Sequence, residues 1–187
     1  MGFSTSLVVI DLQRDYYPGG NFPLPDIERA TVRAAQLIAL FRHHGLPVVH
    51  VRHLEKDPKV GFLLEGTAGS EIEPRVAPAG QDLLITKSWP NAFRDTTLNK
   101  ILHVLGSRDL VFCGAMSNMC IDATVRAAFD LGFYCTVVED ACAASDLEFN
   151  GATLSAQQVH GAFMGALASA YGDVLDLKAF TERLAAG

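Results

Sequence analysis

The sequence predicts an α/β fold, a three-layer α-β-α sandwich around a mainly parallel sheet of about six strands. Short apolar runs recur along the chain without strict polar alternation, which is the pattern of strands buried on both faces. Segments with apolar residues at helical spacing separate them. The 187 residues, 49% hydrophobic and 19% charged, suffice for one domain with a substantial core. That domain is taken as residues 1–187, since no repeat, linker or low-complexity tract divides it.

The first strand is read at Leu7 to Ile10. Asp26 opens a helix to His44, with apolar positions at Ile27, Ala30, Val32, Ala34, Ala35, Leu37, Ile38 and Phe41, and Gly45 and Pro47 stop it. Pro47 to Val51 and Leu83 to Thr86 supply the next two strands, and a helix fits Thr97 to Leu105. The fourth strand, Asp109 to Cys113, leads through a Gly-containing turn into a helix from Asn118 to Leu131, stopped by Gly132. A fifth run, Tyr134 to Val138, is rich in β-branched residues. Helices over Ser155 to Ala170 and Leu177 to Ala185 flank a weaker sixth strand at Val174-Leu175. Right-handed crossovers are expected between parallel neighbours. Tyr17 to Pro25 and Glu55 to Gly80 are irregular. The second, about 26 residues with Pro and Gly throughout, exceeds ordinary loop length and is expected to be a lid, a partner contact or both.

A net charge of −6 gives nucleic acid or an anionic membrane nothing to be drawn to, so a small molecule is the expected partner. Four cysteines without a CxxC pair fit neither a disulfide scaffold nor a zinc knuckle. The start of the chain lacks the pattern of a signal peptide, and no apolar run reaches about 18 residues, so a cytoplasmic location is expected. Gly2 with Ser6 matches the loose myristoylation pattern, but no polybasic second signal follows and Leu7 already begins a strand.

In an open parallel sheet the ligand site lies beyond the carboxyl ends of the strands. There the sequence delivers Asp11, then His50, Arg52 and His53, then Lys87, Ser88 and Trp89, and finally the run from Gly114 to Cys120. An acid, a base and a thiol therefore converge on one edge. Each alone has a plainer reading, as a turn cap, a solvated lysine or a small core residue. Cys120 stands out because the first turn of a helix after a strand offers free N–H groups and the positive end of the dipole, which favour a thiolate and an oxyanion. Cys113, Cys135 and Cys142 read as packing residues.

Val-Val-Ile-Asp11-Leu-Gln, Ile-Thr-Lys87-Ser-Trp-Pro-Asn-Ala-Phe93 and Cys-Gly-Ala-Met-Ser-Asn-Met-Cys120-Ile-Asp-Ala-Thr-Val-Arg-Ala-Ala closely resemble the isochorismatase-like cysteine hydrolases. The likeness continues through Gly132-Phe133 and Glu139-Asp140-Ala141 and covers nearly the whole chain. It implies an isochorismatase-like sheet and an Asp–Lys–Cys triad, Asp11, Lys87 and Cys120. It also implies a cis peptide at Ala115-Met116, which would aim the Met116 N–H, with that of Cys120, at an oxyanion. The implied chemistry is attack by Cys120 on an amide-type carbonyl, with Asp11 as proton carrier, Lys87 as its orienting cation and no cofactor. A homo-oligomer is the partner state the resemblance suggests.

The chain departs from the nicotinamidase branch, whose Asp-x-His metal motif is replaced by Arg52-His53-Leu54, so no metal is expected. Isochorismatases proper cleave a vinyl ether without needing the cysteine, and Cys120 favours amide hydrolysis over that reaction. A non-catalytic small-molecule-binding or thiol-sensing protein is the alternative from another class. Neither GxGxxG nor a P-loop occurs. Gln13, Tyr16, Phe22, Trp89, Phe93 and Asn118 flank the site as candidate substrate contacts, with Asn118 also a candidate helix cap and Trp89 a candidate core residue. His50 reads as a packed strand position and His53 as a pocket or loop residue. Asp140, Asp146 and Glu148 are candidates for the far edge of the pocket. His160 lies in a helix of small residues suited to close packing or a subunit contact.

Overall fold

The computed structural model describes residues 4–186; Gly2 of the myristoylation pattern lies outside them. Ser6 is inside the first strand, its hydroxyl 2.6 Å from that of Ser107. The chain runs β1 (Ser4–Ile10), α1 (Ile27–His43), β2 (Val48–His53), β3 (Leu83–Lys87), α2 (Leu98–Val104), β4 (Ser107–Ala115), α3 (Asp122–Asp130), β5 (Tyr134–Ala143), β6 (Leu147–Phe149), β7 (Ala152–Leu154), α4 (Ala156–Ala170), β8 (Asp173–Leu175) and α5 (Leu177–Ala186). Six strands form one sheet in the order β3-β2-β1-β4-β5-β8, every neighbouring pair parallel.

Alternation along the strands divides the core between two helical layers. Leu7 and Val9 of β1 join Leu37, Phe41 and Phe180, under α1 and α5. Val8 and Ile10 face the other way and join Leu102, Val125 and Leu167, under α2, α3 and α4. The order of the sheet reverses at β1: the chain adds β2 and β3 on one side, then crosses to β4 on the other. The crevice at such a switch point opens at the strands' carboxyl ends. Asp11 follows β1 there, and the segment carrying Cys120 follows β4.

The helix expected over 118–131 is two elements. Its first turn, Ser117–Ile121, is a π-helix, wound wide because the Ile121 N–H reaches back five residues to the Met116 carbonyl at 3.2 Å. The ordinary helix α3 begins only at Asp122. A hairpin, β6–β7, went unread in the sequence. Its turn is Asn150-Gly151, with φ of 50° and 77°, the pairing a tight hairpin demands, but strands of three residues are too short to register by alternation. Asp140, Asp146 and Glu148 take structural roles. The first two accept the N–H groups of Leu177 and Ala156 at the starts of α5 and α4, and Glu148 pairs with Thr153 across the hairpin.

The 55–80 segment is tied down rather than free. Asp15, buried, accepts the N–H of Asn21 at 3.0 Å and that of Leu63 at 2.6 Å. Gly69 presses on the same carboxylate, and a Cβ there would lie 2.1 Å from its oxygen. Backbone bonds from Arg14 to Glu71 and from Glu73 to Leu12, each 2.9 Å, hold the rest against the chain that follows β1. The segment is thus a fixed wall beside the switch point. Among the described residues, no helix is long and apolar enough to cross a membrane.

Candidate active site

Three strand ends deliver the reactive groups. Asp11, at φ 50°, turns the chain out of β1 in a left-handed conformation that Asp tolerates better than most residues. Lys87 is the last residue of β3, and Cys120 sits in the π turn after β4. Gly114 makes this approach possible. At φ 128° its missing Cβ would stand 1.9 Å from the Ile10 carbonyl oxygen, so only glycine lets β4 pass β1 here. The peptide that follows, Ala115–Met116, is cis.

The Lys87 ammonium is the centre of the site. Its Nζ lies 2.6 Å from Asp11 Oδ2, 2.9 Å from His53 Nδ1 and 3.1 Å from Cys120 Sγ. Three acceptors thus surround the three hydrogens an ammonium carries. The contact with Asp11 is a short ion pair, and among the described residues no backbone N–H donates to either carboxylate oxygen. A buried carboxylate left open in this way is a proton acceptor in waiting. Asp11 and Lys87 side chains are fully buried.

Electrostatics sets the balance among these groups. Burial, and then the Asp11 charge, push the Cys120 thiol well above its usual range, and the pull of Lys87 in the other direction is smaller. Burial and the Asp11 charge thus work against a standing thiolate at the helix start. Burial also works against the charge of Lys87, but Asp11 and Cys120 outweigh it and hold the ammonium above its ordinary value. His53 is lowered, first by burial and then by Lys87, so it is neutral at pH 7 and accepts from the ammonium through Nδ1. Nε2 then bears the hydrogen, 3.8 Å from Glu55 Oε2.

The flanking residues separate into those brought to this centre and those that are not. Tyr16 is buried with its phenol raised chiefly by burial and then by Cys120 and Asp11, which places it beside the pair. Phe22 meets it edge-on at 6.4 Å and stacks on Phe62 of the wall at 4.7 Å. Trp89 is no core residue: it is 42% exposed beneath the Arg94 guanidinium, at 3.6 Å, and borders a cavity of about 380 Å³ with Lys56, Glu65 and Lys87. Phe93 turns away. Its ring stacks on Phe133, just before the amino end of β5, and packs on the core there. Gln13 is also no open contact, since its amide bonds the His53 N–H and carbonyl at 2.8 and 2.7 Å and the Ser70 carbonyl at 2.7 Å. Asn118 is buried, and among the described residues its side chain caps no helix and its Oδ1 has no partner.

Two histidines had no part assigned. His50 is a packed strand residue, bonded through Nε2 to Asp82 at 3.1 Å, and Asp82 also pairs with Arg42. His160 links the site to the surface: Nδ1 is 2.8 Å from the Ser117 hydroxyl, in the turn of the cysteine, and Nε2 is 3.1 Å from Glu139. His53, read from the sequence as a pocket or loop residue at the site edge, is the pocket residue, bonded to Lys87. Its signal was its place at the end of a strand adjoining the one that ends at Lys87. Asp11, His53 and Cys120 offer ligand atoms within 4.8 Å of one another, but the Lys87 ammonium already stands among them. Its fixed charge makes this donor set a poor fit for a resident divalent ion. Cys113, Cys135 and Cys142 are buried, and burial raises each thiol.

Comparison with known proteins agrees with this geometry. A family model described as the isochorismatase domain matches residues 5–174. The chain is 44% identical over 177 residues to an uncharacterized isochorismatase family protein of Bacillus subtilis, covering 95% of this chain and 98% of that one. It is 46% identical to a solved isochorismatase-family chain from Oleispira antarctica, with a TM-score of 0.92 and coverage of 100% and 98%. N-carbamoylsarcosine amidase from Thermoplasma acidophilum is 25% identical, with a TM-score of 0.78 over 94% of this chain and 97% of that one. Fold, family match and the meeting of Asp11, Lys87 and Cys120 lead to one conclusion: the chain belongs to the isochorismatase family, among its cysteine hydrolases.

Proposed function

We propose that this protein hydrolyses a C–N bond of a small amide, ureido or carbamoyl compound through a thioester on Cys120, with no cofactor. The observation that carries the reading is a buried thiol and a buried carboxylate meeting on one ammonium, with Lys87 Nζ 2.6 Å from Asp11 Oδ2 and 3.1 Å from Cys120 Sγ; burial and the Asp11 charge, which push the thiol up, support a proton on the resting sulfur. Asp11 takes the thiol proton as sulfur attacks the carbonyl. The N–H groups of Met116 and Cys120 receive the oxyanion. Asp11 returns the proton to the leaving amine, then takes one from water as that water attacks the thioester, and passes it to the departing sulfur. Lys87 stays charged throughout and balances whichever of Asp11 and Cys120 carries the negative charge.

The likeness to N-carbamoylsarcosine amidase, an enzyme whose name specifies a carbamoyl substrate, supports the substrate class. Tyr16, Phe22 and Trp89 are the proposed walls of the substrate site, with the open Asn118 amide oxygen a partner for a substrate N–H. The small-residue face of α4, where Gly161 and Gly165 look onto open space, is the surface proposed for a homo-oligomer.

A panel of small amides, ureas and carbamoyl compounds, assayed for ammonia or amine release, tests the reading. Release should fall by more than about a thousandfold in Cys120→Ala. Full activity in that variant would refute it, and pyruvate release from isochorismate by Cys120→Ala would establish vinyl-ether hydrolysis instead.

A further inference from the structure

The proposed chemistry uses three residues, yet a fourth touches the same ammonium. His53 Nδ1, 2.9 Å from Lys87 Nζ, takes the place in the Lys87 shell that Asp11 and Cys120 leave. Its backbone is fixed on both sides by the buried Gln13 amide. Its other nitrogen faces Glu55, whose carboxylate accepts the N–H groups of Lys56 and Asp57 at 2.7 and 2.9 Å at the start of the wall segment. Glu55 is bound into the wall as well, donating its N–H to Leu63 and accepting that of Glu65 through its carbonyl.

We propose that His53, backed by Glu55, is a positioning residue that orients the Lys87 ammonium and couples it to the 55–80 wall. The inference rests on the reading of Asp11, Lys87 and Cys120 as the reactive group. Lys87 can turn a hydrogen to Sγ and keep its charge beside Asp11 at least cost when its remaining hydrogen has an acceptor, because an unpaired N–H on a buried side chain carries the cost of its desolvation. A neutral imidazole supplies that acceptor. A protonated one points an N–H at an ammonium, and Lys87 must move. The groups facing His53 are Lys87 from β3, Asp11 from β1, Cys120 from the π turn and Glu55 from its own segment. The two carboxylates favour the proton on His53 and Lys87 opposes it, with burial on the side of Lys87.

The test is the pH dependence of Cys120 alkylation by iodoacetamide, read by mass spectrometry of the Cys120 peptide, because it reports the thiol without requiring a substrate. Wild type should show an inflection below pH 6.5, the ordinary histidine value, where alkylation falls more steeply than thiol ionisation alone requires. His53→Asn puts an amide oxygen near the Nδ1 position. It should alkylate within about threefold of wild type at pH 7.5 and lack the inflection. His53→Leu should alkylate about tenfold more slowly, and Glu55→Gln should move the inflection to lower pH. Wild-type rate and profile in His53→Leu would overturn the proposal. So would an unchanged inflection in His53→Asn, which decides the matter if the leucine variant does not fold. Should these shifts appear while no amide is hydrolysed, the substrate reading fails and the role of His53 stands.

Discussion

Lys87 Nζ and Asp11 Oδ2 lie 2.6 Å apart with both side chains fully buried, at the ends of strands β3 and β1. Neither charge has water to retreat to, so each is tolerable only because of the other. Removing one partner of such a pair costs about 3–5 kcal/mol, since a bare charge is left behind. Lys87→Met should therefore destabilise the protein by that amount in urea unfolding. The double variant Asp11→Asn with Lys87→Met should recover at least half of the loss. Additive losses would mean that the two charges do not depend on each other.

Gly114 is the backbone counterpart of that pair. Alanine there combines a φ of 128° with a Cβ 1.9 Å from the Ile10 carbonyl oxygen, and neither strand can yield without opening the β1–β4 ladder. Gly114→Ala is expected to cost on the order of 4 kcal/mol, measured as a lower urea midpoint.

Asp15 fixes the wall. Asn at this position keeps the shape but replaces a charged acceptor of two backbone N–H groups with a neutral one. A loss of about 2 kcal/mol follows, confined largely to the segment it ties. Hydrogen exchange at the Leu63 amide should accelerate at least tenfold in Asp15→Asn while amides of β1 and β4 stay protected. Equal acceleration everywhere would make Asp15 a global rather than a local support.

Two buried histidines set the acid limit of stability. His50 and His53 are both lowered from 6.5, His50 chiefly by burial against the raising pull of Asp82. A folded value below the unfolded one means that the unfolded chain binds protons first. Stability is therefore complete above about pH 6.5 and is lost as pH falls through the folded values. Urea midpoints between pH 7.5 and 5 should decline, and His50→Gln should flatten part of the slope. A midpoint constant across that range would contradict the assignment of both rings as neutral.

The layers were legible because burial on both faces leaves a direct mark: Leu7 to Ile10 and Asp109 to Cys113 read as strands by apolar continuity alone. The triad was legible because Asp11, Lys87 and Cys120 stand at strand ends or the turn beyond, where topology forces convergence. What stayed hidden depends on partners distant in sequence. Gln13 and Phe93 are near the site along the chain, but hydrogen bonds to His53 and Ser70, and a stack on Phe133, take them out of the pocket. His53 was placed at the site edge by its strand, but its bond to Lys87 shows only when β2 and β3 pair and set the two residues side by side. The charge balance at Cys120 also depends on distant partners: the helix start favours a thiolate, whereas burial and the Asp11 charge work against it.

The central claim is a covalent thioester on Cys120, and mass spectrometry of acid-quenched protein tests it most directly. After mixing with a hydrolysed member of the amide panel, the Cys120 peptide should gain the mass of the substrate's acyl part, at a rate fast enough to account for amine release. The same peptide should stay unmodified in Asp11→Asn. Turnover of that substrate with Cys120 never acylated, or undiminished in Cys120→Ala, would contradict the account.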